Sequence, residues 1–377
     1  MDNGGAQREE RDGPLELFLA LVRIDSPTRE EADVAALCAK ELAKLGFAVK
    51  VDDSSRVTGS NTGNVVAELP GTNARTLVLA AHMDCVEPCR GVEPHVAEGV
   101  VSSVGDTVLG ADDKAGIAAI ISAARTTVAR GGPRPTLRVL LTVQEEIGLR
   151  GAKALDPSLS KADLCLVLDA DGPPGTMIVA APTHYTFVAT FQGRGAHAGV
   201  APEKGVNAIV MASNAVAAMA LGRLDEETTA NVGSIEGGTA TNVVPSLVTL
   251  TGECRSLSRE RVEAVKAEMD AAMRGSAEAS DGSVAIDWTL EYESFALEAD
   301  DPAVLLVSSA CRDVGLEPCL KRTGGGSDAN VFAARGLPTV ALSCGMKHVH
   351  STEECIAVSD LEALTGLVRA VIEHMAA

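Results

Sequence analysis

Four short apolar runs, rich in valine and leucine, each lead into a residue type that binds metals. Thr76–Ala81 runs into His82-Met-Asp84, Thr136–Val143 into Gln144-Glu145-Glu146, Leu164–Leu168 into Asp169, and Thr339–Leu342 onward to His350. Continuous apolar runs of this length predict strands buried on both faces. In open parallel sheets, ligands gather in the crevice outside the carboxyl ends of the strands. A fifth candidate, Asp112, opens the long Ala/Ile helical stretch that follows Leu109-Gly-Ala111.

Around these runs the chain alternates helix and strand. Helical spacing of Val34, Leu37, Cys38, Leu42 and Leu45 predicts a helix over Arg29–Leu45, stopped at Gly46. Strands are predicted near Phe47–Val51, Asn64–Leu69 and Thr76–Ala81, then a helix over Asp113–Ala129 stopped by Gly131-Gly-Pro133. This is the grammar of an α/β sheet. From Thr183 to Glu293 it changes to strand, helix, strand, strand, helix, strand, a compact βαββαβ unit of ferredoxin-like order. Its last strand alternates, with Val284, Ile286, Trp288, Leu290 and Tyr292 expected on one side. Its second helix aligns Val262, Val265, Met269 and Met273. The α/β pattern resumes near Ala296 and closes with a helix over Leu361–His374. The predicted organisation is a first catalytic segment 1–182, an insert 183–294, and a second catalytic segment 295–377.

Composition narrows the function. A net charge of −20 and only 2% aromatic residues exclude a phosphate-neutralising stripe or a base-stacking platform, so neither nucleic acid nor an anionic membrane surface is an expected partner. Nine scattered cysteines form no disulfide framework, and Cys85-x3-Cys89 has no second pair to complete a structural zinc site. The polar start Met1–Glu10 has no apolar core of a secretory signal, and no run approaches the ~18 apolar residues of a membrane span. A soluble, cytoplasmic protein is expected.

Each candidate has an ordinary reading beside the functional one. A histidine at a strand end is commonplace, and Asp112 would serve equally as a helix cap. Adjacent Glu145 and Glu146 are harder to dismiss, because two carboxylates after a buried strand repel each other unless a cation or a raised pKa separates their roles. One can hold a metal while the other accepts a proton as general base. In His82-x-Asp84, the carboxylate can orient the imidazole from behind. Asp169 competes with Asp171, with preference for the residue at the strand end, and His350 competes with His348. Two imidazoles and three carboxylates suit zinc, cobalt or manganese better than calcium.

His82-Met-Asp84, Leu109-Gly-Ala-Asp-Asp-Lys-Ala-Gly116, Thr142-Val-Gln-Glu-Glu-Ile-Gly148 and His350-Ser-Thr-Glu-Glu354 resemble, in order, the successive motifs of the M20 metallopeptidases. The Asp-Asp-Lys-Ala-Gly and Glu-Glu-Ile-Gly forms resemble most its peptidase T, or tripeptide aminopeptidase, branch. The resemblance implies a zinc-exopeptidase-like catalytic domain with a mixed, mostly parallel sheet, plus an inserted lid and dimerisation domain. It implies two zinc ions per chain, one held by His82, Asp112 and Asp169 and the other by Asp112, Glu146 and His350, with cobalt or manganese as substitutes. Glu145 would be the general base and Asp84 the supporting acid, and the Asp112–Asp113 peptide would be cis. Within the insert, His197 of Gly195-Ala-His-Ala-Gly199 resembles a lid histidine that stabilises an oxyanion, supplied across the dimer in some relatives. Asn242, Arg255 and Gly325 resemble substrate-contacting positions. The implied activity is hydrolysis of short peptides by a homodimer, as an aminopeptidase acting on tripeptides. The alternatives are an M20 deacylase or carboxypeptidase, or a non-catalytic peptide-binding relative.

Overall fold

The computed structural model describes residues 13–376, so the polar stretch Met1–Glu10 lies outside the described residues. The chain forms two compact units. One runs to Val179 and returns over Ala296–Arg322 and from Ser327 onward; the other comprises Ala180–Phe295 and Thr323–Gly326.

The first unit is built on a nine-stranded mixed sheet. At its centre, Thr136–Thr142, Thr76–His82, Leu164–Ala170 and Thr339–Ser343 lie side by side and parallel. Val65–Leu69 extends the sheet antiparallel at one side and Thr176–Ala181 at the other. The apolar runs are what places these strands in the middle: Leu77, Leu79, Leu137, Val139, Leu164 and Leu166 are almost wholly excluded from solvent. Each such side chain stabilises the fold by about 1.5–3 kcal/mol relative to leaving it in water. The helix Ala111–Arg130 packs beneath them and buries every residue from Ala115 to Ala124, which explains its lack of a polar stripe. Helices Pro14–Val22 and Val358–Ala376 pack against it in turn. The predicted helix over Arg29–Leu45 is observed as Ala32–Lys44, with Gly46 at φ 88° after it.

A small antiparallel sheet was not legible in the hydrophobic pattern. It joins Pro94–Ala97, Val100–Ser103, Cys355–Ala357 and Met346–Lys347, strands of two to four residues, too short for alternation to register. It matters because the loop bearing His350 runs between its last two strands in sequence.

The second unit is a five-stranded antiparallel sheet in the order Gly222–Arg223, Thr228–Gly237, Leu247–Ser256, Thr183–Gln192, Ser283–Tyr292. Helices Ala208–Ala218 and Arg259–Glu278 pack on it, meeting Tyr185, Phe187, Ala189 and Phe191 with Met211, Val262, Val265, Met269 and Met273. This is the predicted βαββαβ order with a two-residue edge strand added. The expected alternation over Val284–Tyr292 breaks near its end, where the pairing slips between Leu290 and Tyr292. Leu290 is exposed while Tyr292 is buried, because a bulge turns successive side chains out of register. Among the described residues, no helix is long and apolar enough to cross a membrane.

Candidate active site

The carboxyl ends of the parallel strands bring together His82, Asp84, Asp112, Glu145, Glu146, Asp169 and His350, all within the first unit. Asp112 is the hinge of the arrangement. Its Oδ1 lies 3.0 Å from His82 Nε2 and its Oδ2 lies 3.2 Å from His350 Nε2. A second carboxylate joins each imidazole: Asp169 Oδ1 is 3.5 Å from His82 Nε2, and Glu146 Oε1 is 3.1 Å from His350 Nε2. Donor atoms bound at about 2 Å to one transition-metal ion stand roughly this far from each other. His82, Asp112 and Glu146 form one cluster able to hold an ion, and His82, Asp113 and Asp169 form another. Of the competing candidates, Asp169 and His350 carry the contacts, His350 from a side chain that is itself half exposed.

Local backbone geometry aims these groups. The Asp112–Asp113 peptide is cis, and both residues leave helical φ/ψ inside the Ala111–Arg130 span. The helix predicted from Asp113 is thus regular only beyond the residues that serve the site. Asp113 itself, the predicted start of the helix, is fully buried. Its carboxylate accepts the N–H of His82 at 3.2 Å and that of Gly116 at 3.1 Å. A Cβ on Gly116 would fall 2.4 Å from Asp113 Oδ1 and from the carbonyl of Leu168, which accounts for the glycine in Asp-Asp-Lys-Ala-Gly. The doublet Asp112-Asp113 was the available signal for a second buried acid.

Asp84 behaves differently from the expectation drawn from His-x-Asp. The nearest partner of His82 Nδ1 is the main-chain carbonyl of Asp84 at 3.0 Å, with the carboxylate farther away at 3.5 Å. That carboxylate accepts the N–H of Glu145 at 2.9 Å, the N–H of Glu146 at 3.4 Å and the hydroxyl of Thr28 at 2.8 Å. Beside it, buried Glu31 accepts the N–H of Gln144 at 3.1 Å and the hydroxyl of Ser60. Two acids outside the cluster therefore fix the Gln144-Glu145-Glu146 turn, in which Gln144 sits at φ 52°. Glu31 gave no sequence signal, since it reads as one more acidic residue of the predicted Arg29–Leu45 helix.

The electrostatics express a surplus of buried negative charge. Burial, then the charge of Asp169, pushes Asp113 and Glu145 well above the ordinary carboxyl range. Burial also raises Asp169 to about 7. Asp112 goes the other way: burial opposes ionisation, but hydrogen bonds from His350 and His82 hold its carboxyl well below the usual range. His350 is raised to about 10 by Asp112 and then Glu146, and His82 is raised against its burial by Asp169 and Asp112. Such crowding of largely buried acids costs free energy unless positive charge is supplied. The nitrogen and oxygen donor set fits divalent transition metals, so these residues suit the ions that the sequence motifs imply.

The remaining sequence candidates belong to the second unit. His197 and Asn242 are neighbours there, with a bridge from His197 to Val243 and the Ala198 N–H donating to the Asn242 carbonyl at 2.9 Å; both side chains are exposed. Arg255 is engaged by its own unit: Nε and Nη2 donate to the two carboxylate oxygens of Glu253 at 3.1 and 2.8 Å, and Nη1 to the Tyr292 hydroxyl at 3.2 Å. Gly325 donates its N–H to Thr323 Oγ1 at 3.1 Å. Next to it, a Cβ on Gly326 would collide with the Tyr292 ring at 2.2 Å, so the glycine-rich loop lets that ring approach the backbone.

Comparison with known proteins agrees with this architecture. Residues 181–281 match the peptidase dimerisation domain of M20 enzymes, and residues 64–203 match peptidase family M28. The aminopeptidase PepT of Bacillus cereus is 42% identical, with a TM-score of 0.89 over 97% of this chain and 99% of that one. A tripeptidase of Staphylococcus aureus is 34% identical, with a TM-score of 0.92 over 96% of this chain and 98% of its own. An uncharacterised protein of Bacillus subtilis, YqjE, is 42% identical over 96% of this chain and 98% of its length. Whole-length similarity at these identities assigns the hydrolase family directly: the chain belongs to the M20 metallopeptidases, in their peptidase T-like branch.

Proposed function

We propose that this M20 hydrolase is a dinuclear zinc aminopeptidase that removes the N-terminal residue of short peptides, tripeptides foremost, and works as a homodimer through its second unit. One observation carries the reading. The two carboxylate oxygens of Asp112 face two different imidazoles, at 3.0 Å from His82 and 3.2 Å from His350, and each imidazole has a further carboxylate beside it. That is the donor pattern of a bridging ligand between two ions, with His82 and Asp169 on one side and Glu146 and His350 on the other. Bound zinc would supply Lewis-acid polarisation of the scissile carbonyl and of the attacking water.

The chain's own residues do the rest. Glu145 is buried, its main-chain N–H is held by Asp84, and burial and the charge of Asp169 raise its basicity. Positive charge bound among the neighbouring acids would offset the repulsion that raises it, leaving an ionised but basic carboxylate that accepts the proton of the attacking water and returns it to the leaving amine. His197, Asn242, Arg255 and Gly325 are assigned to substrate contact. The whole-length likeness to an aminopeptidase and a tripeptidase supports short peptides as substrates. The match of residues 181–281 to a dimerisation domain supports the homodimer.

The test is a metal analysis of the purified protein followed by digestion of tri-alanine and a peptide library, read by mass spectrometry. Two zinc equivalents and loss of single N-terminal residues are expected. Removal of C-terminal residues, or release of acyl groups from N-acyl amino acids without cleavage of tri-alanine, would replace the aminopeptidase by one of its M20 alternatives.

A further inference from the structure

We infer that Glu354 is the positioning residue for Asp112, coupling the segment that carries His350 to the segment that carries the bridging carboxylate. Glu354 is 2% exposed, four residues beyond His350. Its Oε1 accepts the N–H of Asp112 at 2.9 Å and its Oε2 accepts the N–H of Gly110 at 2.7 Å. One carboxylate thereby holds the backbone on both sides of Ala111, where the chain passes through the left-handed conformation at Gly110, φ 73°, before the Asp112 side chain turns into the cluster. The glutamate is itself fixed by its turn. Its N–H donates to the Ser351 carbonyl at 3.1 Å, and the Ser351 hydroxyl donates to the His348 carbonyl at 2.7 Å.

The two hydrogen bonds span more than 240 residues of sequence and tie His350 and Asp112, which face each other at 3.2 Å, through a second, rigid route. A ligand's geometry is set by what holds its backbone, and groups standing behind metal ligands orient them and tune metal affinity. Only a carboxylate answers this site well, because both incoming groups are donors and both of its oxygens accept. An amide of the same shape would turn an N–H₂ toward one of the two N–H groups.

This inference rests on the metal reading of the site, and the experiment separates the two. Zinc binding to the full-length wild type, Glu354→Gln, Glu354→Ala and Glu354→Asp is measured by titration calorimetry, with the visible spectrum of the cobalt-loaded protein as a second readout. The wild type taking up two ions supports the metal reading; no uptake by the wild type overturns both. Given wild-type uptake, Glu354→Gln is expected to weaken zinc binding about 10–100-fold, the usual range for such partners, no better than Glu354→Ala, and to alter the cobalt spectrum. Wild-type affinity and spectrum in Glu354→Gln would overturn the inference, since a role in filling space alone is met by the isosteric amide. Should the neutral variants fail to fold, Glu354→Asp keeps the charge and shortens the reach: reduced zinc affinity is expected, and wild-type affinity would overturn the inference.

Discussion

Asp84 meets the ring of His82 with its main-chain carbonyl, 3.0 Å from Nδ1, and gives its carboxylate to the N–H groups of Glu145 and Glu146. The acid of the His-x-Asp motif therefore serves the glutamate turn more directly than the imidazole. Asp84→Asn leaves the carbonyl in place but offers one acceptor oxygen where three donors converge, leaving a buried N–H without a good partner at a cost of about 1–3 kcal/mol. The expected outcome is a lower melting temperature and a lower kcat with metal content unchanged. Elemental analysis beside steady-state kinetics checks it; loss of one ion with kcat per loaded site unchanged would return the carboxylate to the role of imidazole partner.

Glu145→Gln should abolish turnover while sparing metal occupancy. The amide keeps the shape of the side chain, and the main-chain hydrogen bond to Asp84 does not involve it, but it cannot accept a proton. Loss of a general base costs roughly 10²–10⁴ in rate. If the variant instead purified with a single ion, the roles of Glu145 and Glu146 would be exchanged.

Acid should loosen the second unit through Glu253. Hydrogen bonding from His184, reinforced by the fork of Arg255, holds the Glu253 carboxyl at about 2, against 4.5 for an ordinary glutamate. A depressed folded-state pKa contributes stability that is complete above the unfolded value and is lost as pH falls through the folded one. Glu253→Gln should therefore be less stable than wild type near neutrality, with the difference shrinking between about pH 4.5 and pH 2. Denaturant melts at several pH values measure this; a difference that stays constant across that window would show that the carboxylate's charge is not what stabilises.

The same physics decides how much of this was visible in the sequence. Strands buried on both faces announce themselves as unbroken apolar runs, so Thr76–His82, Thr136–Thr142, Leu164–Ala170 and Thr339–Ser343 and the acids at their ends were legible. Asp169 over Asp171 followed from the same rule, as only the strand-end residue has its direction fixed by the sheet. Glu31 and Glu354 were not legible in their roles, and Asp113 only as the second half of a doublet, because their work is to accept main-chain N–H groups from distant segments. No periodicity or motif spacing encodes a hydrogen bond between segments 31, 113 or 242 residues apart. Arg255 is the intermediate case: its chemistry suggests a carboxylate partner, and the structure supplies one, Glu253, two residues away on the same strand.

His197 provides the last test. The Gly199 N–H donates to its Nδ1 at 3.2 Å, so the neutral ring carries its proton on Nε2 and presents a donor there, as an oxyanion contact requires. The side chain is exposed on the unit that matches the dimerisation domain, while the acids and imidazoles of the cluster belong to the other. Removing one oxyanion donor costs roughly 10²–10³ in kcat, so His197→Ala should lose activity while keeping both ions and the dimer. Asn in place of His197, which retains a donor of shorter reach, should recover little. A histidine contributed across the dimer makes a stronger demand: mixing His197→Ala with Glu145→Gln should restore part of the activity, because each hybrid dimer then assembles one site from two intact halves. Hybrid formation is verified with differently tagged chains. Exchange without recovered activity would mean that His197 serves its own chain or plays no part in turnover, and single-chain kinetics of His197→Ala would then decide between those two.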